Sequence, residues 1–328
     1  MNTPKDICQQ TINKLCAKNK GILAADESLT TMNKRLAEIG LNSDETTRRQ
    51  YRELLIDCPN IEQYLNGIIL HEETLYQSSD SEKRFCDILT DKGLCIGIKV
   101  DQGLSDLPHS SEKITRGLDS LESRLADYFK QGARFAKWRN VYKIDKNTPS
   151  HHLIGLNSQT LAHYAKMCLN QGIVPIIEPE ILIDGDHSIE RTKVVTKAIL
   201  SSLFDACVSF NIDLSQTILK PSMITSGKQS SEWPNPPSDV SAATLDIFKQ
   251  VVPNHVASIN FLSGGQSPQQ ASDNLFAIQS QADLPWNVSF SFARAIQQPC
   301  MKLWAGESQY VDEARQELIN RLKDNCRL

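Results

Sequence analysis

No apolar run in this chain approaches the roughly 20 residues that a membrane-spanning helix needs. The opening stretch, MNTPKDICQQTINKLC, mixes polar and apolar residues and has no apolar centre of the kind that marks a signal peptide, so the expectation is a cytoplasmic protein. Basic charge is not in excess either. Lysine and arginine number 35 against 39 acids, a formal net charge of -4, which gives no electrostatic footprint for nucleic acid. The nine cysteines (Cys8, Cys16, Cys58, Cys86, Cys95, Cys168, Cys207, Cys300 and Cys326) form no CxxC pair, which removes the sequence signal for a zinc or dithiol redox site and favours reduced thiols. The seven histidines show no compact ligand spacing. Internal repeats, low-complexity tracts and any linker long enough to hold separate domains apart are all missing. The expectation is one domain over residues 1–328, long for an ordinary domain but normal for an α/β barrel.

What the chain does have is eight short apolar runs that end in a charge, a serine or a glycine pair. They are GILAADE (21–27), NGIILHEE (66–73), LCIGIKVD (94–101), ARFAKWR (133–139), IVPIIEPEI (173–181), QTILKPSM (216–223), HVASINFLSGG (255–265) and WNVSFSFARA (286–295). Runs of this length read as buried strands. Helical spacing lies between many of them, over 44–58, 117–132, 158–172, 189–207, 239–251 and 307–322; in the second, Leu118, Leu121, Leu125 and Phe129 fall on one face. The stretch 224–238, ITSGKQSSEWPNPPS, has no period and reads as a loop. Eight strands largely separated by helices predict an α/β fold, the (β/α)8 TIM barrel.

In such a barrel the chemistry sits where the strands end. The polar residues at those ends are Asp26, Glu72, Lys99, Asp101, Lys137, Arg139, Glu178, Glu180, Lys220, Ser263 and Arg294. Lys137 and Arg139 are two apart and share a strand face, as do Glu178 and Glu180. Each has a bland reading alone: a solvated lysine, a salt-bridge partner, an N-cap at Ser28, a chain turn at Gly264 and Gly265. Together they bring many charges to one wall, which is costly unless the charges pair or serve a ligand. A lysine freed of its proton can form a Schiff base with a ketone and so allow an adjacent carbon–carbon bond to break. Lys137 and Lys220, expected on adjacent walls, would depress each other's pKa. A carboxylate such as Glu178 would move the protons. The Gly264–Gly265 amides with Arg294 suit a phosphate.

These motifs resemble the class I, Schiff-base fructose-1,6-bisphosphate aldolases, and the likeness runs through nearly the whole chain. GILAADES (21–28), HEETLYQ (71–77), GIKVDQG (97–103), FAKWR (135–139), VPIIEPEILIDGDH (174–187), LKPSM (219–223), FLSGGQS (261–267) and SFSFARAIQ (289–297) follow in the family's order. The resemblance implies that Lys220 forms the imine, that Glu178 is the general acid/base, and that Asp26 orients the substrate. It makes Lys137 a second active-site lysine with Glu180 as its neighbouring acid. Ser263, Gly264, Gly265 and Arg294 take the phosphate on C1; Lys99, Arg139, Ser28 and Thr31 lie near the phosphate on C6. It implies sugar phosphates as the partners, a homo-oligomer, no metal and no other cofactor. A related imine-forming aldolase or transaldolase-like enzyme for another sugar phosphate is the alternative, and a non-catalytic scaffold is disfavoured by the intact lysine and acids. Three departures stand out. Thr30 replaces a glycine and Thr31 a serine, keeping the hydroxyl. Ala293 replaces a glycine before Arg294, where a methyl would crowd a phosphate. Many members also carry a C-terminal tail ending in tyrosine, whereas this sequence finishes Cys326-Arg327-Leu328.

Overall fold

A computed structural model describes residues 2–326; Arg327 and Leu328, and with them the sequence ending just noted, lie outside the described residues. The strands are β1 (Gly21–Ala25), β2 (Leu65–Leu70), β3 (Cys95–Lys99), β4 (Leu104–Asp106), β5 (Lys113–Thr115), β6 (Ala133–Tyr142), β7 (Val174–Ile181), β8 (Ile218–Leu219), β9 (Ser258–Phe261) and β10 (Val288–Phe292). Eight of them close into a parallel barrel in the order β1-β10-β9-β8-β7-β6-β3-β2, and each coincides with one of the eight apolar runs. The remaining two, β4 and β5, form an antiparallel hairpin beside the mouth that the sequence pattern did not predict. Three residues per strand are too few to show alternation.

Helices cover the outside. Glu45–Ile56, Leu121–Lys130, His151–Asn170, Ile189–Ser209, Pro237–Val251 and Val311–Asn325 meet the six helical stretches. The third starts seven residues earlier than its apolar spacing suggested, because Ser150 caps it, accepting from Leu153 N at 3.1 Å. Pro4–Leu15 was not expected as a helix. Thr3 and Asp6 form its capping box, Pro4 opens it, and Cys8, Ile12 and Leu15 are its buried face. That face packs into one cluster with Ile22, Ile69, Cys95, Phe135, Val174, Ile176 and Ile218, so this helix plugs the end of the barrel opposite the mouth. A larger cluster fills the space between barrel and outer helices.

The barrel interior mixes large side chains with none. A Cβ on Gly97 would stand 2.3 Å from the Phe135 ring, and one on Gly21 would stand 2.4 Å from the Phe290 ring. The glycines are needed because those rings occupy the space their side chains would take.

Candidate active site

The strands deliver the charged residues to one cleft of about 950 Å³, large enough for a sugar carrying two phosphates. Its lining includes every predicted site residue: Asp26, Ser28, Thr31, Lys99, Lys137, Arg139, Glu178, Glu180, Lys220, Ser263, Gly264, Gly265 and Arg294. At its floor, Lys220 (4% exposed), Lys137 (4%), Glu178 (4%) and Asp26 (7%) are buried together. The backbone N–H of Lys220 donates to Ile177 O at 2.8 Å, so β7 fixes the lysine at the point where β8 ends.

Glu178 stands between the two lysines. Its Oε1 lies 3.3 Å from Lys220 Nζ, and its Oε2 lies 3.5 Å from Lys137 Nζ. Lys137 Nζ is also 2.7 Å from Asp26 Oδ2 and 3.9 Å from Asp101 Oδ2. All three facing oxygens, Asp26 Oδ2, Asp101 Oδ2 and Glu178 Oε2, are buried without a hydrogen-bond partner within the protein: their contacts with Lys137 are charge contacts, not aligned hydrogen bonds. Buried acceptors left in this state suit the hydroxyls of a ligand.

Two expectations are corrected here. Lys137 and Lys220 are not on adjacent walls, because β7 runs between β6 and β8. Nor does Lys137 lose its proton easily. Burial works against its charge, but Asp26, Glu178 and Asp101 outweigh burial and hold its pKa well above the ordinary lysine value. It is a fixed cation. Asp26 is its counterpart: burial would raise the carboxyl, but Lys137, Lys220 and Lys99 hold it far below the usual carboxylate range. The second correction concerns Glu180, which pairs with Arg139 rather than with Lys137. Arg139 is raised first by the Glu180 charge, and Glu180 is lowered because Arg139 outweighs its burial. In the strand register Arg139 lies beside Glu178. Lys137 with Arg139, and Glu178 with Glu180, all reach the cleft, as alternation along each strand requires.

On one side of the mouth, Lys99 Nζ contacts Asp101 Oδ1 at 2.7 Å and Asp101 O at 2.6 Å. Ser28 has both of its readings. It N-caps the helix Leu29–Ala37, lies 3.1 Å from Thr31 Oγ1, and lines the cleft with it. On the other side, Gly264 (φ 52°) and Gly265 (φ 85°) take left-handed backbone, and a Cβ on Gly265 would stand 3.4 Å from Arg294 Nη2. Ala293 has φ -109°, so no left-handed backbone there calls for glycine; its methyl packs against the plugging cluster. The helix Arg294–Trp304 that follows has no side-chain cap; the amides of Ile296 and Gln297 donate to Ala293 O at 3.1 and 2.9 Å, and its N-terminus lies at the cleft with Arg294.

Some contributors were not picked out from sequence. Asp101 was noted only as a strand-end charge, yet it contacts both Lys99 and Lys137. Glu27 is buried between Arg35 and Arg52; Arg52 Nη1 reaches Glu27 Oε2 at 2.8 Å and its Nη2 reaches Glu27 O at 3.3 Å. This network holds the turn that carries Asp26 and Ser28. An acid directly after Asp26 was the available signal. Lys34 and Lys302 add further cations to the cleft wall from helices that the apolar pattern did not reveal.

A parallel barrel whose mouth holds two buried lysines about a shared carboxylate, under a rim of cations, defines a barrel enzyme for anionic carbonyl substrates. The chain belongs to the class-I fructose-bisphosphate aldolase family, whose family model matches residues 8–327. Fructose-bisphosphate aldolase of Drosophila melanogaster is 43% identical over 324 residues, which span 98% of this chain and 89% of that one. The cytoplasmic isozyme of Cicer arietinum is 46% identical over 93% of this chain and 86% of its own. Among solved structures, the aldolase of Plasmodium falciparum, determined as a ternary complex with TRAP and a small-molecule inhibitor, superposes with a TM-score of 0.96 at 39% identity, covering 99% of this chain and 95% of that chain. The enzyme is a class I, metal-independent carbon–carbon lyase that cleaves fructose 1,6-bisphosphate reversibly to dihydroxyacetone phosphate and glyceraldehyde 3-phosphate through a lysine Schiff base.

Proposed function

We propose that Lys220 is the imine-forming residue of this reaction and that Glu178 moves its protons. The observation that carries the assignment is the placing of Glu178 within 3.3 Å of Lys220 Nζ and 3.5 Å of Lys137 Nζ at the floor of the cleft. Lys220 Nζ adds to the C2 carbonyl, giving a carbinolamine. Glu178 protonates its hydroxyl, water leaves and the iminium forms. Removal of the proton from the C4 hydroxyl breaks the C3–C4 bond, and its electron pair passes into the iminium as an enamine. Glyceraldehyde 3-phosphate departs. Protonation of the enamine at C3 and hydrolysis release dihydroxyacetone phosphate and the free amine. Lys137, held protonated by its three acids, supplies fixed positive charge beside the developing oxyanions. Asp26 holds Lys137 and offers an acceptor to the substrate hydroxyls.

Ser263, Gly264, Gly265 and Arg294 receive the C1 phosphate; Lys99, Arg139, Ser28 and Thr31 lie toward the C6 phosphate, with Glu180 orienting Arg139. The 1–328 span works as one barrel domain, in a homo-oligomer and in the cytoplasm. The compartment is supported by the name of the Cicer arietinum relative and by nine free thiols, seven of them buried. Incubation with dihydroxyacetone phosphate, borohydride reduction, digestion and mass analysis test the central assignment. The label is expected on the peptide containing Lys220. A label on Lys99 or Lys137 overturns it.

A further inference from the structure

Lys228 sits in the polar loop after β8, in a segment whose sequence showed no pattern. The loop is pinned. Gly227 N donates to His187 O at 2.8 Å, Lys228 N to Ile183 O at 2.9 Å, and Gln229 N to Gly185 O at 2.9 Å. Gly227 permits this close approach, because a Cβ there would stand 2.2 Å from Gly185 O. The three bonds tie the loop after β8 to the loop after β7, and they set the direction in which Lys228 leaves the backbone.

That direction leads to the glycine pair. The place where a Cβ on Gly265 would stand is 3.4 Å from Arg294 Nη2 and 3.5 Å from Lys228 Nζ. Two cations therefore converge on one glycine. Among the described residues no carboxylate lies within ion-pair distance of either, although the Glu180 charge reaches Arg294 from farther off. Like charges brought together with no acid in direct contact repel, and the arrangement becomes more favourable when an anion lies between them. The left-handed turn at Gly264 and Gly265 adds a concave run of backbone amides of the sort that holds anions.

We propose that Lys228 is a specificity-determining residue for the aldol reaction, gripping with Arg294 the phosphate of the three-carbon ketone half of the substrate. This rests on the reading that the Gly264–Gly265–Arg294 corner takes the C1 phosphate. Lys228 is exposed, so its contribution is the modest one of a solvated ion pair.

The test uses the full chain and the condensation direction, in which the two triose phosphates are varied separately. In Lys228→Gln the KM for dihydroxyacetone phosphate rises about three- to tenfold, the KM for glyceraldehyde 3-phosphate moves far less, and kcat falls by a smaller factor than the first KM rises. Lys228→Arg restores most of the loss. The difference between Lys228→Gln and wild type shrinks in about 0.5 M salt, where the Debye length is only a few ångströms. An unchanged KM for dihydroxyacetone phosphate in Lys228→Gln overturns the proposal. Arg294→Ala then locates the failure: if it raises that KM, the corner holds the phosphate and Lys228 alone is a bystander; if it does not, the reading of the corner is wrong as well. Equal rises for both triose phosphates, or no rescue by arginine, also overturn the role assigned to Lys228.

Discussion

The two duties proposed for Glu178 rest on its two oxygens meeting two different amines. Glu178→Gln keeps the shape of the side chain and removes its capacity to carry a proton. Both imine formation and bond cleavage are expected to slow by about 10²–10⁴-fold, the usual worth of a general acid/base. Asp26 touches Lys137 and makes no contact of this kind with Lys220. Asp26→Asn is therefore expected to leave a substantial yield of borohydride-trapped imine while turnover collapses by a similar factor. Single-turnover quench experiments separate the two steps. Equal small effects from both substitutions sink this division of labour. Asp101 belongs to the same group: it faces Lys99 and Lys137 and leaves Oδ2 without a hydrogen bond, so it shares the task of keeping Lys137 charged.

At the scale of elements, the barrel wall depends on residues that carry no charge. The ring of Phe135 on β6 fills the space beside Gly97 on β3. Gly97→Ala adds a methyl where aromatic carbon already stands, and the core cannot widen without moving a strand. A loss of about 1–3 kcal/mol in urea unfolding is expected, the range for overpacked cores. Combining it with Phe135→Leu is expected to recover some of that loss; strictly additive losses count against the packing explanation. The same elements show what sequence reveals. Strand runs such as IVPIIEPEI were legible because both faces of a barrel strand are buried, which leaves an apolar run ending at a charge. The helix Pro4–Leu15 was not, because only Cys8, Thr11, Ile12 and Leu15 are buried and the surrounding polar residues hide the period; its capping box was the readable sign. The residues that line the cleft were legible through strand-end position and the family likeness. Their partners were not. That Glu180 pairs with Arg139 and Glu178 with both lysines depends on how three strands lie side by side, which spacing along one strand does not encode.

For the whole molecule, the buried charges gathered in the cleft also set the pH range over which the fold is stable. Burial, helped by Arg52 and Lys99, lowers His71 below its ordinary 6.5, and burial lowers His187 likewise. The unfolded chain takes up protons there that the folded chain resists, so stability begins to decline as pH drops below 6.5. Asp26, Glu27 and Glu180 are depressed despite their burial, since the lysines or arginines beside them outweigh it. Their contribution is complete above the ordinary values, 3.8 for Asp26 and 4.5 for the two glutamates, and is lost as pH falls through the lower folded values. Lys137 has the opposite sign. Raised by Asp26, Glu178 and Asp101 against its burial, it contributes stability that is full below 10.5 and is lost as pH climbs through its folded value. Urea midpoints measured across the pH range are thus expected to fall slightly between about pH 6.5 and 5 and steeply below about 4.5, with an alkaline decline setting in above about 9, where thiols of the unfolded chain ionise while burial keeps Cys8, Cys58 and Cys207 protonated in the folded one. Asp26→Asn is expected to flatten the steep acid arm, because the titrating group is gone, and to shrink the Lys137 part of the alkaline decline, because Lys137 loses its nearest acid and its folded value moves back toward 10.5. A midpoint that rises on acidification from pH 7 to 5, or an Asp26→Asn profile parallel to wild type at both ends, contradicts this account of how the site is tied to the stability of the barrel.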